Sequence, residues 1–167
     1  ATADTREVIA ALHHQTRSDA EAKVLSQEAL VKTVAAWREQ NLRIGFTNGC
    51  FDLLHPGHVS LLHQAKDGCD RLIVGLNADA SVKRLKGNDR PVQTEAARAT
   101  VLASLASVNA IAIFLEDTPL ALIKTIRPDV LVKGKDYKLE EVVGAKEVES
   151  YGGHVLLAKS SPGHSTT

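Results

Sequence analysis

The sequence predicts a doubly wound α/β fold: a five-stranded parallel sheet with a helical appendage at its N-terminus. Three observations predict it. Apolar runs alternate with helical patterns from residue 43 onward. The strands among them are apolar throughout, which is the pattern of strands covered by helices on both faces of a parallel sheet. The length, 167 residues, fits one domain able to bury roughly two-thirds of its unfolded surface.

Residues 1–42 read as helical. Val8, Ile9 and Leu12 mark a short apolar stripe, and Ser26 is placed to cap a second helix carrying Leu30, Val31, Val34 and Trp37. Charged residues fill the gaps, so this N-terminal extension reads as an amphipathic element packed on the domain or on a second subunit. The main domain is expected over 43–167. Its first strand is 43–48 (RIGFTN), followed by Gly49. A helix over 57–66 follows, with Pro56 near its first turn, where a missing N–H is tolerated. The second strand is 71–77 (RLIVGLN), and a basic loop, KRLKGNDRP, comes after it. An Ala-rich helix over 94–107 starts at Thr94 as N-cap. The third strand is 110–115 (AIAIFL). Thr118 caps and Pro119 opens a helix that ends before Pro128. The fourth strand is 129–133, a helix spans 140–151, and the fifth strand is 154–158. The order is that of a Rossmann-like fold, whose ligands sit beyond the C-terminal ends of the strands.

Composition narrows the function classes. Lys plus Arg equals Asp plus Glu at 20 each, so no general attraction draws the chain to nucleic acid or to an anionic membrane. No stretch approaches the ~20 apolar residues that span a bilayer, and the first residues lack the apolar core of a secretory signal. Cys50 and Cys69 are too few for a disulfide scaffold and form no CxxC pair. A reducing cytoplasm is the expected location.

Chemistry concentrates at strand ends. The segment TNGCFDLLHPGH, 47–58, joins the first strand to the following helix. Gly49 and Gly57 remove Cβ atoms where a phosphate would approach the backbone. The helix start offers free N–H groups and the positive end of the dipole, which suit a triphosphate. His55 and His58 flank that start, where imidazole donors can stabilise charge growing on a pentavalent phosphorus. Thr47 and Asn48 add a hydroxyl and an amide. No third ligand at zinc spacing accompanies the histidines, so no metal site is expected. Neither GxxxxGK[ST] nor GxGxxG occurs, which disfavours P-loop kinases and nicotinamide dehydrogenases. Lys83, Arg84, Lys86 and Arg90 cluster after the second strand and read as a cationic arm over phosphates. Lys133, Gly134, Lys135 and Asp136 follow the fourth strand. Ser165 and Thr166, in SPGHSTT, are placed to cap a phosphate-binding helix start.

Together these motifs resemble the cytidylyltransferase-like nucleotidyltransferases, whose signature is a GTFD-like segment followed by HxGH. Within that superfamily TNGCFD, KRLKG and VKGKDY are most similar to the D-glycero-β-D-manno-heptose 1-phosphate adenylyltransferases. The resemblance implies transfer of AMP from ATP, carried with Mg²⁺, to a heptose 1-phosphate, giving ADP-heptose and pyrophosphate for lipopolysaccharide core synthesis. It implies the adenylyltransferase alone, without the sugar-kinase half that some relatives carry. By position it makes His55 and His58 the catalytic pair, with Lys86 beside them. It assigns Thr47, Asn48, Phe51 and Asp52 to the nucleotide-binding start, and Asp79 and Lys86 to contacts after the second strand. Arg98 matches the family's helix arginine, Lys133–Asp136 the nucleotide loop, and Ser165 and Thr166 the phosphate-binding helix start. CTP-using relatives often carry an arginine where this chain has Ser160. The alternatives are a cytidylyltransferase acting on glycerol 3-phosphate and a non-enzymatic nucleotide-binding regulatory module. Small size and the apolar N-terminal helix suggest a homodimer.

Overall fold

Each of the five apolar runs forms a strand: β1 Ile44–Gly49, β2 Arg71–Asn77, β3 Ala110–Phe114, β4 Val130–Gly134 and β5 His154–Ala158. They make one parallel sheet in the order β3-β2-β1-β4-β5. The computed structural model describes residues 4–159, and of residues 11–18 the backbone alone. Ser160, Ser165, Thr166 and the side chain of Leu12 therefore lie outside the described residues. The helices are α1 Thr5–Glu21, α2 Gln27–Glu39, α3 Pro56–Asp67, α4 Asp79–Lys86, α5 Glu95–Ala103, α6 Leu120–Ile126 and α7 Ala145–Ser150.

The sheet is covered on both faces. On one, Phe46, Ile73 and Leu131 meet Leu30 and Val34 of α2, Ile123 of α6 and Val148 of α7. On the other, Leu72, Val74 and Val130 meet Leu62 and Ala65 of α3 and Leu102 of α5. Adjacent residues such as Ile73 and Val74 serve opposite cores, so the middle of each strand is apolar and polar residues fall toward the strand ends.

The segment before β1 belongs to this core. Leu30 is fully buried and Val34 nearly so. Ser26 caps α2 as expected, accepting from the Ala29 N–H at 3.1 Å. Lys23 and Leu25 also pair with the edge of β3, Leu25 N–H donating to Ile111 O at 2.9 Å and Ile111 N–H to Lys23 O at 2.8 Å. That covers part of an otherwise open sheet edge. The boundary expected at residue 42 therefore separates no independent core.

Four local expectations are corrected. Lys83, Arg84 and Lys86 stand on the last turn of α4, not in a loop. Val82 and Ser81, both fully buried, hold that helix down, and Ser81 Oγ accepts from Asn77 Nδ2 at 3.0 Å while donating to Glu116 O at 3.1 Å. Thr94 does cap α5, but the helix stops at Ala103. Pro119, not Thr118, is the N-cap residue of α6. The helix expected over 140–151 is broken into a 3-10 turn at Leu139–Glu141 and the short α7, with Gly144 between them at φ 89°. A Cβ there would lie 2.6 Å from Ile123 Cδ1, so only glycine allows the turn that seats α7 on α6.

The pairing register opens the site. β1 pairs with β2 from Ile44 to Gly49, but with β4 only at Gly45 and Phe46. Beyond Phe46 the ends of β1 and β4 part, at the point where the strand order reverses. That is where a doubly wound sheet leaves a crevice for ligand.

Candidate active site

The crevice has a volume of about 810 Å³ and takes its walls from four segments. β1 and the turn after it supply Thr47, Asn48, Gly49, Cys50, Phe51 and Asp52, and the start of α3 supplies His55, Gly57 and His58. Lys86 and Arg90 stand on one side; Lys133, Gly134, Lys135, Asp136, Tyr137 and Lys159 stand on the other.

The turn after β1 is shaped by Phe51, whose backbone sits in the left-handed region at φ 44°. That conformation costs a β-carbon residue on the order of 1 kcal/mol or more. It folds the ring inward, leaving Phe51 6% exposed in the core beside Leu62 and Leu76. A Cβ on Gly49 would come 3.1 Å from the Phe51 ring, so Gly49 makes room for this fold-back. The Phe51 ring in turn packs 5.2 Å, centroid to centroid, from His58. Phe51 thus supports a histidine from the core side.

His55 is the N-cap residue of α3. Its backbone is extended, and its Nδ1 accepts from the Gly57 N–H at 3.1 Å. An Nδ1 that accepts carries no proton, so the proton of the neutral ring is on Nε2. His58 lies one turn on, its ring stacked on that of His55 at 3.8 Å with 29° between planes. Its Nδ1 is buried without a hydrogen-bond partner among the described residues. Burial, the neighbouring His55 and then Lys86 push its pKa down to about 4. His58 is therefore neutral at pH 7.

Lys133 is 8% exposed, at the point where β4 has parted from β1. Its Nζ donates to Asn48 Oδ1, bridging the two strand ends, and lies 5.4 Å from the Tyr137 ring centroid. Burial pushes its pKa down to about 8. Burial also pushes the Cys50 thiol up, so it stays protonated at neutral pH.

Asp52 lines the crevice and is engaged by its neighbours. Its carboxylate accepts from Arg90 Nη1 at 2.9 Å and from the N–H groups of Val92 and Gln93 at 2.9 and 3.1 Å. Burial alone would raise its pKa, but these donors together hold it below the usual carboxylate range.

Asp79, Lys83 and Arg98 do not line the crevice. Lys83 faces solvent on α4. Arg98 is 1% exposed and all three of its guanidinium nitrogens donate. Nη1 donates to Cys50 O at 2.6 Å and Asn77 O at 2.8 Å, Nε to Gln93 O at 3.1 Å, and Nη2 to Asp79 Oδ1 at 2.7 Å. It ties the ends of β1 and β2 to the starts of α4 and α5. Sequence reasoning gave no weight to Lys159 or to the apolar crevice residues Leu54, Leu61 and Ala158. A lone lysine one residue after a strand carries no motif; only its place at the C-terminal edge marks it.

A profile described as cytidylyltransferase-like matches residues 46–167. The chain is 68% identical over 145 residues to the bifunctional protein HldE of Acidiphilium cryptum, covering 87% of this chain and 30% of that protein. It is 58% identical over 161 residues to HldE of Paramagnetospirillum magneticum, covering 96% and 33%. The chain thus spans about a third of the length of the curated relatives it matches. Among solved structures it is similar to a lipopolysaccharide core biosynthesis protein from Thermoplasma volcanium, with TM-score 0.59 and 26% identity over 72% of this chain and 97% of that one. It shares its fold with pantoate-beta-alanine ligase of Francisella tularensis, with TM-score 0.61 at 17% identity over 83% of this chain and 67% of that one. The paired histidines at the start of α3, the crevice at the strand-order reversal and the profile match agree: this chain belongs to the cytidylyltransferase-like family.

Proposed function

We propose that this chain transfers AMP from MgATP to D-glycero-β-D-manno-heptose 1-phosphate, releasing pyrophosphate and forming ADP-heptose. The observation that carries the reading is the stacked His55–His58 pair at the start of α3. Two ring N–H donors converge at the positive end of the α3 dipole, where charge would grow on the α-phosphorus; the first-turn N–H groups of Gly57 and His58 are themselves bonded to His55. The acceptor phosphate oxygen attacks that phosphorus, the bond to the β-phosphate bridging oxygen breaks, and pyrophosphate leaves in line. A phosphate monoester, with its second pKa near ~6, is already an anion at pH 7. No general base is required, which fits a His58 with its pKa near 4. Positioning and charge stabilisation supply the rate. Magnesium arrives bound to the triphosphate as part of the substrate.

The heptose assignment rests on the likeness of TNGCFD, KRLKG and VKGKDY to that branch, on relatives named bifunctional of which the chain matches about a third, and on the lipopolysaccharide core biosynthesis protein. Lipopolysaccharide core synthesis in the cytoplasm is the corresponding role. No helix among the described residues is long and apolar enough to cross a membrane. Val8 and Ile9 of α1 are 45% and 49% exposed, and a second copy covering them fits a homodimer. Pyrophosphate release tests the reading. ATP with heptose 1-phosphate should turn over, and CTP with glycerol 3-phosphate should not. Efficient turnover of the second pair alone, or nucleotide binding with no pyrophosphate from any acceptor, would refute it.

A further inference from the structure

The crevice has two cationic sides with the histidine pair between them. One carries Lys133, Lys135 and Lys159 from the ends of β4 and β5; the other carries Lys86 and Arg90 from the end of α4 and the loop beyond it. The reaction brings together two anions, a triphosphate and a phosphate monoester, which must meet at one phosphorus without repelling each other. Two separate cationic sides satisfy that need. Resting on the adenylyl-transfer reading, we propose that Arg90 is the clamp for the acceptor's phosphate and that Asp52 positions it.

The geometry distinguishes Arg90 from an ordinary surface arginine. Its Nη1 donates at 2.9 Å to Asp52 Oδ2, a carboxylate only 5% exposed, while Arg90 itself stays 45% exposed and lines the crevice. Asp52 also accepts from the N–H groups of Val92 and Gln93, so one buried carboxylate fixes both the arginine and the chain on its C-terminal side. An arginine anchored through one nitrogen keeps its remaining N–H donors, and their planar array matches two oxygens of a phosphate. Its side chain is already ordered, so binding an anion costs less entropy than it would at a free surface arginine. Asp52 lies three residues before His55, so the anchor is built into the same turn that carries the catalytic pair. The opposite side is filled differently: Lys133 is buried and bridges to Asn48, a point charge suited to the triphosphate.

The test is a KM split. Arg90→Ala should raise the KM for heptose 1-phosphate about tenfold or more, leaving the KM for ATP within about twofold. Arg90→Lys should fall between, since it keeps the charge and loses the fork. Asp52→Asn should raise the acceptor KM alone. An unchanged acceptor KM, or an equal or larger rise in the ATP KM, overturns the assignment. A binding measurement separates this proposal from the reading beneath it. With α,β-methylene-ATP saturating, inorganic phosphate should raise the melting temperature of the wild type and not of Arg90→Ala. That result supports the clamp even if no sugar 1-phosphate turns over, in which case adenylyl transfer alone has failed. An equal shift in both proteins, or none in the wild type, overturns it.

Discussion

His55 and His58 stack ring on ring at 3.8 Å, and the first of them is also the cap of the helix that carries the second. Their spacing is therefore fixed by helix geometry and not by side-chain contacts alone. Two charged imidazoles at that distance repel, which is one reason His58 resists protonation.

The dual role of His55 separates stability from activity. His55→Ala removes both the cap and the donor and should cost about 1 kcal/mol of stability along with turnover. His55→Asn offers an amide oxygen to the Gly57 N–H and should recover stability while activity stays low. Denaturant unfolding beside turnover checks this; recovery of activity by asparagine would refute the donor role.

His58 should titrate near 4 in the free protein, readable from its ring signals in an NMR pH series. An ordinary histidine titrates at 6.5, so between those values the unfolded chain holds more protons than the folded one. Stability from this group is complete above about 6.5 and is lost as pH falls toward 4. A bound triphosphate adds negative charge and should raise the His58 value. A titration near 6.5 without nucleotide would remove the buried, neutral histidine from the account.

Lys133 gives the alkaline limb. With its pKa near 8 rather than 10.5, it loses its charge as pH rises through about 8. The kcat/KM for ATP, which reports the free enzyme, should fall through the same region. Folding moves the opposite way: between 8 and 10.5 the unfolded chain binds the extra proton, so this group adds stability with rising pH. Lys133→Arg should shift the fall in kcat/KM to higher pH.

Arg98 is a stability prediction. Arg98→Ala leaves the carbonyls of Cys50, Asn77 and Gln93 and the Asp79 carboxylate without this donor. Breaking such a buried network costs about 3–5 kcal/mol. A loss under 1 kcal/mol in urea unfolding, with turnover abolished, would instead make Arg98 a direct substrate contact.

Much of this was legible in sequence because parallel strands buried on both faces are continuous apolar runs. VLVK and LIVGL could not be mistaken for surface segments. The histidine pair was legible because it sits where a strand gives way to a helix. Two kinds of feature were not. Helix α4 is rich in charge, and its hold on the sheet comes from Val82 and Ser81, too few for a periodic signal. Arg98 sits in an Ala-rich helix like any surface cation, and its burial depends on the distant carbonyls of Cys50 and Asn77 as well as the nearby one of Gln93. The same limit hid the ion pair of Arg90 with Asp52, partners 38 residues apart.

The most direct test is pyrophosphate release by His58→Ala with ATP and heptose 1-phosphate. Turnover should fall about 10²–10³-fold while the melting temperature and circular dichroism stay those of a folded protein. A folded variant that keeps near wild-type turnover would contradict the claim that the stacked pair stabilises the reacting phosphorus.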